Sequence, residues 1–242
     1  MKVGYQGGSG AYSHIAARRC FPPNEGATEY VGCESFSAML TLLTSGELDF
    51  ALLPIENSIA GSIHENYDLL AANDVTIVGE VYQPIAHCLI GLQNASLSGI
   101  RYVFSHPVAL AQCRAFLLSM PNCHAEAFVD TALAVQKVRD DNDPSHAAIA
   151  AEEAAAIYGM HVLKGHRRSV GDYTRMVIVA ARDHESNHAG NTENFTRYFI
   201  AARARCSSTL RECSCRSRFE SHENRIEAEA RVTVRIRVLP RL

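Results

Sequence analysis

At four places in the chain a strand-like run ends in small and hydroxyl residues just ahead of a helix-like run. They are "QGGSGAYS", which ends at Ser13; "PIENSIAGS", with Asn57, Ser58, Gly61 and Ser62; "FSHPVALAQC", with Ser105, His106 and Gln112; and "VDTALAV", with Thr131. The first turn of a helix exposes unpaired backbone N–H groups, and Ser, Thr and Asn add donors beside them. A loop of that kind holds a carboxylate or a phosphate. A single such loop is ordinarily a helix cap, but four in one chain point to a cleft for a small anionic molecule. The first loop is neither G-x-G-x-x-G nor a P-loop, so it carries no nucleotide signal.

Two Thr-Arg pairs add to this set, Thr174-Arg175 and Thr196-Arg197, each a polar turn running into an apolar strand. The threonine offers a hydroxyl donor, and the arginine a planar fork that can grip a carboxylate through two hydrogen bonds. Of the eleven histidines, His14, His64, His87 and His106 lie near the loops. None has a partner evident in the sequence, so capping and surface roles are expected, with His106 the exception because it follows Ser105 at a strand end. Glu56 reads as an acid or base or, preferably, as a structural carboxylate held by backbone N–H groups.

The elements that must position these residues alternate. "KVGYQG" reads as a strand and "AYSHIAARRCF" as a helix capped by Ser9. "TEYVGC" is a strand, and the next helix opens at Ser35 and closes at Gly46 before the buried strand "FALLPI". "SIHENYDLLAAN" is a helix, "VTIVGEVYQPIAHCLIGL" a long strand-like segment, and "RYVFSHPVALAQCRAFLLSM" a strand, a turn and a helix. "DTALAVQKVRDDND" is a further helix. The pattern predicts an α/β protein with mainly parallel sheets. Two strand-loop-helix series joined by a long link around residues 79–93 predict two lobes with a cleft between them.

Composition narrows the function classes. Hydrophobic residues make up 47% and charged residues 20%, which is the balance of a globular core. A net charge of -3 gives no electrostatic reason to expect nucleic acid. There is no apolar run of membrane-spanning length, and the opening "MKVGYQGGSGAYS" lacks the pattern of a signal peptide, so a cytoplasmic protein is expected. The eight cysteines read as reduced structural thiols, and the isolated Cys213-x-Cys215 pair is a weak zinc signal. Beyond about residue 203 the composition breaks. Ten of the twenty arginines lie between Arg203 and Leu242, with no lysine and no glycine among them. With one admissible set of codons, "FESHENRIEAEA" shifted by one base reads Ser-Asn-Leu-Thr-Lys-Ile-Glu-Ser-Arg-Pro-Arg. A disordered arm or a segment out of frame is therefore expected over 204–242.

Taken in order, "GYQGGSGAYSHIAA", "ALLPIENSIAGSIHENYDLL", "IVGEVYQPIAHCLIGL", "FSHPVALAQC", "DTALAV", "AAIAAEEAAAIYGMHVL" and "NFTRYF" resemble the catalytic region of the prephenate and arogenate dehydratases. The resemblance covers roughly residues 2–163 and 187–203. It implies a fold class of α/β, two-lobed and type 2 periplasmic-binding-protein-like, with the active site between the lobes. A regulatory ACT domain commonly follows in the family. It contains a phrase like Leu-Thr-Lys-Ile-Glu-Ser-Arg-Pro, the phrase found in the shifted frame. The implied reaction turns prephenate into phenylpyruvate, CO2 and water in phenylalanine synthesis, with no cofactor and no metal. Arogenate is the alternative substrate, and a non-catalytic solute-binding module or an inactive gene product are the alternatives to an enzyme. Prephenate is the expected small-molecule partner, with no nucleic acid and no membrane, in a homo-oligomer expected to be a dimer.

The resemblance also assigns residues. The threonine of the Thr-Arg-aromatic motif assists departure of the ring hydroxyl, and its value lies in a preorganised donor. Asn57, Ser105 and Gln112 match positions that bind and orient substrate, while Ser13, Ser58, Gly61, Ser62, His106 and Thr131 fall on the motif loops and are assigned to substrate binding. Val108 stands where the family usually has Gln, which removes one polar group near the cleft. The two Thr-Arg pairs divide the evidence. Thr174 lies 11 residues after Leu163, close to the family distance, whereas Thr196 lies 33 after it. "NFTRYF" has the family's Asn two before Thr and the aromatic after Arg, and "DYTRM" has neither. Local identity assigns catalysis to Thr196 and Arg197, with Thr174 in reserve. The first lobe is then expected over about 1–80 plus 187–203, the second over about 81–164, and an insertion over 165–190.

Overall fold

The computed structural model describes residues 1–23, 28–120, 122–165 and 172–182. The chain starts in a first lobe with β1 (Lys2–Gln6), α1 (Tyr12–Cys20), β2 (Glu29–Cys33), α2 (Phe36–Thr44), β3 (Phe50–Asn57), β4 (Gly61–Ser62), α3 (His64–Ala72) and β5 (Val75–Pro84). It crosses to a second lobe of β6 (Cys88–Gly91), β7 (Tyr102–Ser105), α4 (Pro107–Gln112), α5 (Arg114–Leu118), β8 (His124–Ala127), α6 (Thr131–Asp141), β9 (His146–Ala150), α7 (Glu152–Tyr158) and β10 (His161–Gly165). It then returns to the first lobe as β11 (Tyr173–Ala181). This is the two-lobed α/β arrangement that the sequence led us to expect.

Local chemistry explains most boundaries. Ser35 accepts the Ala38 N–H at 3.1 Å and opens α2, and Gly46 at φ 81° turns the chain just beyond it. Ser9, expected to cap α1, does not: Gly10 in the left-handed region carries the chain past it, and the helix opens after Ala11 with no side-chain cap. The Ser9 hydroxyl lies 3.5 Å from that of Tyr5. Among the described residues no helix is long and apolar enough to cross a membrane.

The sheets are mixed rather than mainly parallel. The first has the order β2-β1-β3-β11-β5, with β4 beside β3, and the second the order β10-β6-β9-β7-β8. β1 is parallel to both β2 and β3, and β7 to both β8 and β9. β11 runs antiparallel between β3 and β5, and β6 antiparallel between β9 and β10. The reversed strand in each sheet is the one that arrives from the other lobe. An arriving chain enters at the carboxyl ends of the parallel strands and must run back against them. The crossing at 85–87, the end of β10 and the start of β11 thus lie at the same ends as the four loops, which is where open α/β sheets bind ligands.

The expected insertion over 165–190 does not match this architecture, because residues 173–181 form a strand in the middle of the first sheet. Met176, Ile178 and Ala180 pack into the core under α1 with Val3, Phe21, Phe50 and Leu52. Val177 and Val179 pack into the core on the opposite face with Met39, Leu40, Leu43 and Leu53. Alternate side chains thus enter different cores, as a strand covered on both faces requires. Each full burial of a Met, Ile or Val side chain is worth about 1.5–3 kcal/mol. The unbroken apolar run "MVIVAA" is the sequence mark of a strand covered on both faces, while the fuller motif at Thr196 implied that this stretch belonged to an insertion.

Candidate active site

The first-lobe half of the site stands on the adjoining ends of β3 and β11, whose register sets Thr174 opposite Asn57. Asn57 is buried. Its Oδ1 accepts the backbone N–H groups of Ile59 at 3.0 Å and Ala60 at 2.8 Å. That side-chain turn fixes the amide. Its Nδ2 donates to Thr174 Oγ1 at 3.1 Å and to the Tyr173 carbonyl at 3.3 Å. A hydroxyl has one proton and two lone pairs, so accepting from Asn57 leaves Thr174 with its proton to give.

Asp172 lies beside this pair and is also buried. Its Oδ1 is 3.5 Å from Asn57 Nδ2 and from Ser58 Oγ, and Ser58 Oγ accepts the Tyr173 N–H at 3.0 Å. Burial pushes the Asp172 carboxyl above its ordinary pKa, against the opposing influence of His87 and of hydrogen bonds from Asn57 and Ser58. Arg175, next in the strand after Thr174, faces the other side of the sheet. Its Nε and Nη2 donate to Glu80 Oε2 at 3.1 and 2.9 Å, and Nη1 lies 3.8 Å from Glu56. The Glu80 carboxylate raises its pKa further. Arg175 is therefore engaged by internal carboxylates. Glu56 is an ion-pair partner, where backbone N–H groups had been expected to hold it.

The second lobe reaches across with Gln112, the last residue of α4. Gln112 Nε2 donates to Asn57 Oδ1 at 3.3 Å, and its Oε1 lies 2.8 Å from His87 Nε2. His87 belongs to the first crossing, and its Nδ1 lies 3.1 Å from the Tyr12 hydroxyl. Burial holds the Tyr12 hydroxyl well above its ordinary pKa, against the opposing effect of the Ala86 backbone amide.

The other expected site residues take varied places. Ser105 is wholly buried and donates to the Ile149 carbonyl at 2.6 Å, tying β7 to β9. Ser13 donates to the Gln6 carbonyl at 2.6 Å. Both protons are committed to backbone, so neither serine is brought to Asn57 as a donor. His106 caps α4, its Nδ1 accepting the Val108 N–H at 3.3 Å. Thr131 is buried in the first turn of α6, and the cap is Asp130, whose Oδ1 accepts from Ala132 and Leu133, both at 2.9 Å. Gly61 and Ser62 are exposed on β4. Thr196 and Arg197 lie outside the described residues. Of the expected set, Asn57, Ser58 and Gln112 come together, and Thr174, the reserve, joins them.

Three neighbours were missed: Tyr12, His87 and Asp172. Asp172 carried a signal, since it stands two residues before Thr174 where the family pattern has Asn. His87, noted only as a histidine near the loops and expected in a capping or surface role, is buried, and its bonds to Gln112 and Tyr12 carried no signal because those partners are 25 and 75 residues away in the chain.

A profile of the prephenate dehydratase family matches residues 3–184. The chain belongs to the prephenate dehydratase family. It is 40% identical over 182 residues to arogenate dehydratase 5, chloroplastic, of Arabidopsis thaliana, covering 74% of this chain and 42% of that protein. It is 32% identical over 202 residues to the bifunctional chorismate mutase/prephenate dehydratase of Escherichia coli (strain K12), covering 84% of this chain and 47% of that protein. It spans less than half the length of these curated relatives. The solved prephenate dehydratase of Arthrobacter aurescens in complex with L-Phe superposes with a TM-score of 0.67 at 29% identity, covering 75% of this chain and 60% of that one. A protein described as GqqA, a novel type of quorum quenching acylase, has a TM-score of 0.66 at 31% identity, covering 75% of this chain and 64% of that one. The family match includes Thr174 and ends before Thr196.

Proposed function

We propose that this chain carries out the decarboxylative dehydration of prephenate to phenylpyruvate, CO2 and water, with Thr174 as the working threonine. In this reaction the bond from the ring to its carboxylate breaks and its electron pair enters the ring. The C–O bond to the ring hydroxyl breaks, and a proton converts the departing oxygen to water. The protein's task is to hold the substrate and present a donor to that oxygen. The observation that carries the reading is the bond from Asn57 Nδ2 to Thr174 Oγ1, which leaves the threonine proton available as that donor. The family match to residues 3–184 supports the same choice over Thr196. Arogenate differs in bearing an amino group where prephenate has a keto oxygen. Arogenate dehydratases among the relatives favour it as the second substrate to test.

Purified protein is incubated with prephenate, and phenylpyruvate is read by its absorbance in alkali, with arogenate assayed in parallel for phenylalanine. Thr174→Ala is expected to lower kcat about 10²–10³-fold, the usual cost of removing one preorganised donor. Thr196→Ala is expected to leave it unchanged. Loss in Thr196→Ala with retention in Thr174→Ala would overturn the assignment, and binding of substrate without turnover would overturn the activity.

A further inference from the structure

His87 lies in neither lobe's sheet but in the short crossing between β5 and β6, buried, with polar neighbours from both lobes. Its ring nitrogens face different groups: Nδ1 the Tyr12 hydroxyl at 3.1 Å, and Nε2 the Gln112 Oε1 at 2.8 Å. A carboxamide oxygen only accepts, so Nε2 must carry the proton. In a neutral ring Nδ1 then accepts from Tyr12. Gln112 in turn gives an amide proton to Asn57 Oδ1 at 3.3 Å. The chain of bonds has one direction throughout: Tyr12 to His87, His87 to Gln112, Gln112 to Asn57, and Asn57 to Thr174 at 3.1 Å.

A glutamine carboxamide is nearly symmetric in shape and can rotate to exchange its oxygen and nitrogen. The Asn57 amide cannot do so freely, because the Ile59 and Ala60 N–H groups already hold its oxygen. A rotated Gln112 would set oxygen against oxygen and undo this bond between the lobes beside Thr174. Of the two groups that meet Gln112, Asn57 Oδ1 only accepts, and His87 is the one that can supply a proton to the carboxamide oxygen.

We infer that His87 is a positioning residue: its Nε2–H sets which way the Gln112 carboxamide faces and so holds the second lobe on Asn57 next to Thr174. As a role in catalysis this rests on the reading of Thr174 given above. His87→Asn keeps a polar atom near the Nδ1 position and loses the donor at Nε2. His87→Gln keeps an amide N–H near the Nε2 position. His87→Asn is expected to lower kcat about ten-fold with little change in KM, and His87→Gln to recover most of that loss. In a Gln112→Leu background His87→Asn is expected to add nothing. Equal losses in the two His87 variants, or additive losses with Gln112→Leu, would overturn the inference.

A readout free of turnover accompanies the kinetics. In protein carrying ¹⁵N-labelled histidine, the His87 signal, assigned by its disappearance in His87→Asn, is expected to report a proton on Nε2. An Nε2 without a proton would overturn the inference even in a variant or preparation that turns over no substrate. If Thr174→Ala retains activity while the histidine result stands, the Thr174 reading fails and the role of His87 in orienting Gln112 does not.

Discussion

The two lobes contribute the same kind of loop and use it differently. In the first lobe, Asn57, Ser58, Asp172 and Thr174 at the ends of β3 and β11 bond mainly to one another or to their own turn. In the second lobe, the hydroxyl at the end of β7 is turned inward, with Ser105 bonded to the Ile149 carbonyl of the neighbouring strand. One lobe therefore assembles donors at the cleft, and the other spends its serine on keeping two strands together and reaches the site with Gln112. A strand end that runs through a hydroxyl residue into a helix does not by itself define a binding group. What matters is whether a backbone carbonyl is close enough to take the proton first.

This contrast can be broken most directly by comparing Thr174→Ala with Ser105→Ala. The first is expected to cost about 10²–10³-fold in kcat at nearly unchanged Tm. Ser105→Ala is expected to leave kcat within about three-fold. It should lower stability by about 1–2 kcal/mol, a Tm loss of several degrees, because a buried carbonyl loses its partner. A large kcat loss in Ser105→Ala at unchanged Tm would make the two lobes alike.

Gly10 tests the packed contact between the lobes. It sits at φ 91°, and a Cβ there would lie 2.8 Å from the Ala154 Cα of α7. Gly10→Ala is expected to cost about 1–3 kcal/mol from the backbone conformation alone, before the clash is counted. A thermal melt with no loss of Tm would show that the lobes do not depend on this approach.

The smallest expected effect concerns Asp172. Burial raises its carboxyl above the ordinary value of about 3.9. A raised acid contributes stability that is fully present below the ordinary value and lost as pH rises through the folded one. Asp172→Asn is accordingly expected to raise Tm at pH 7 and to leave it unchanged near pH 3. A shift of equal size at both pH values would mean that the charge of Asp172 is not what the fold resists.

How far the sequence could be read depended on distance along the chain. The Ser35 cap, the Gly46 stop, the four strand-end loops and the pairing of small residues with helix starts are local, and all were legible. Asn57 and Gln112 were legible as site candidates through the motif resemblance. The direction in which Ser13 and Ser105 give their protons was not, because it depends on which carbonyl a distant strand or turn brings alongside. Nor was the partnership of His87, which needs one group from each lobe. The strand after Thr174 was legible as an apolar run, but its place inside the first sheet was not, because the fuller local motif at Thr196 implied an insertion over 165–190 and the pairing of β11 depends on strands far back in the chain.

The placement of β11 has a consequence for how the protein comes off the ribosome. β3 and β5 share no ladder of their own in the first sheet and are joined through β11, which is synthesised only after the entire second lobe. A nascent chain that has reached residue 165 holds all the described strands of its second lobe. Its first lobe is still divided into two parts, with apolar side chains on both faces of the gap. The second lobe can therefore close while the first waits. The strand that completes the first sheet carries Thr174 with it, so the fold and the site are finished in the same step.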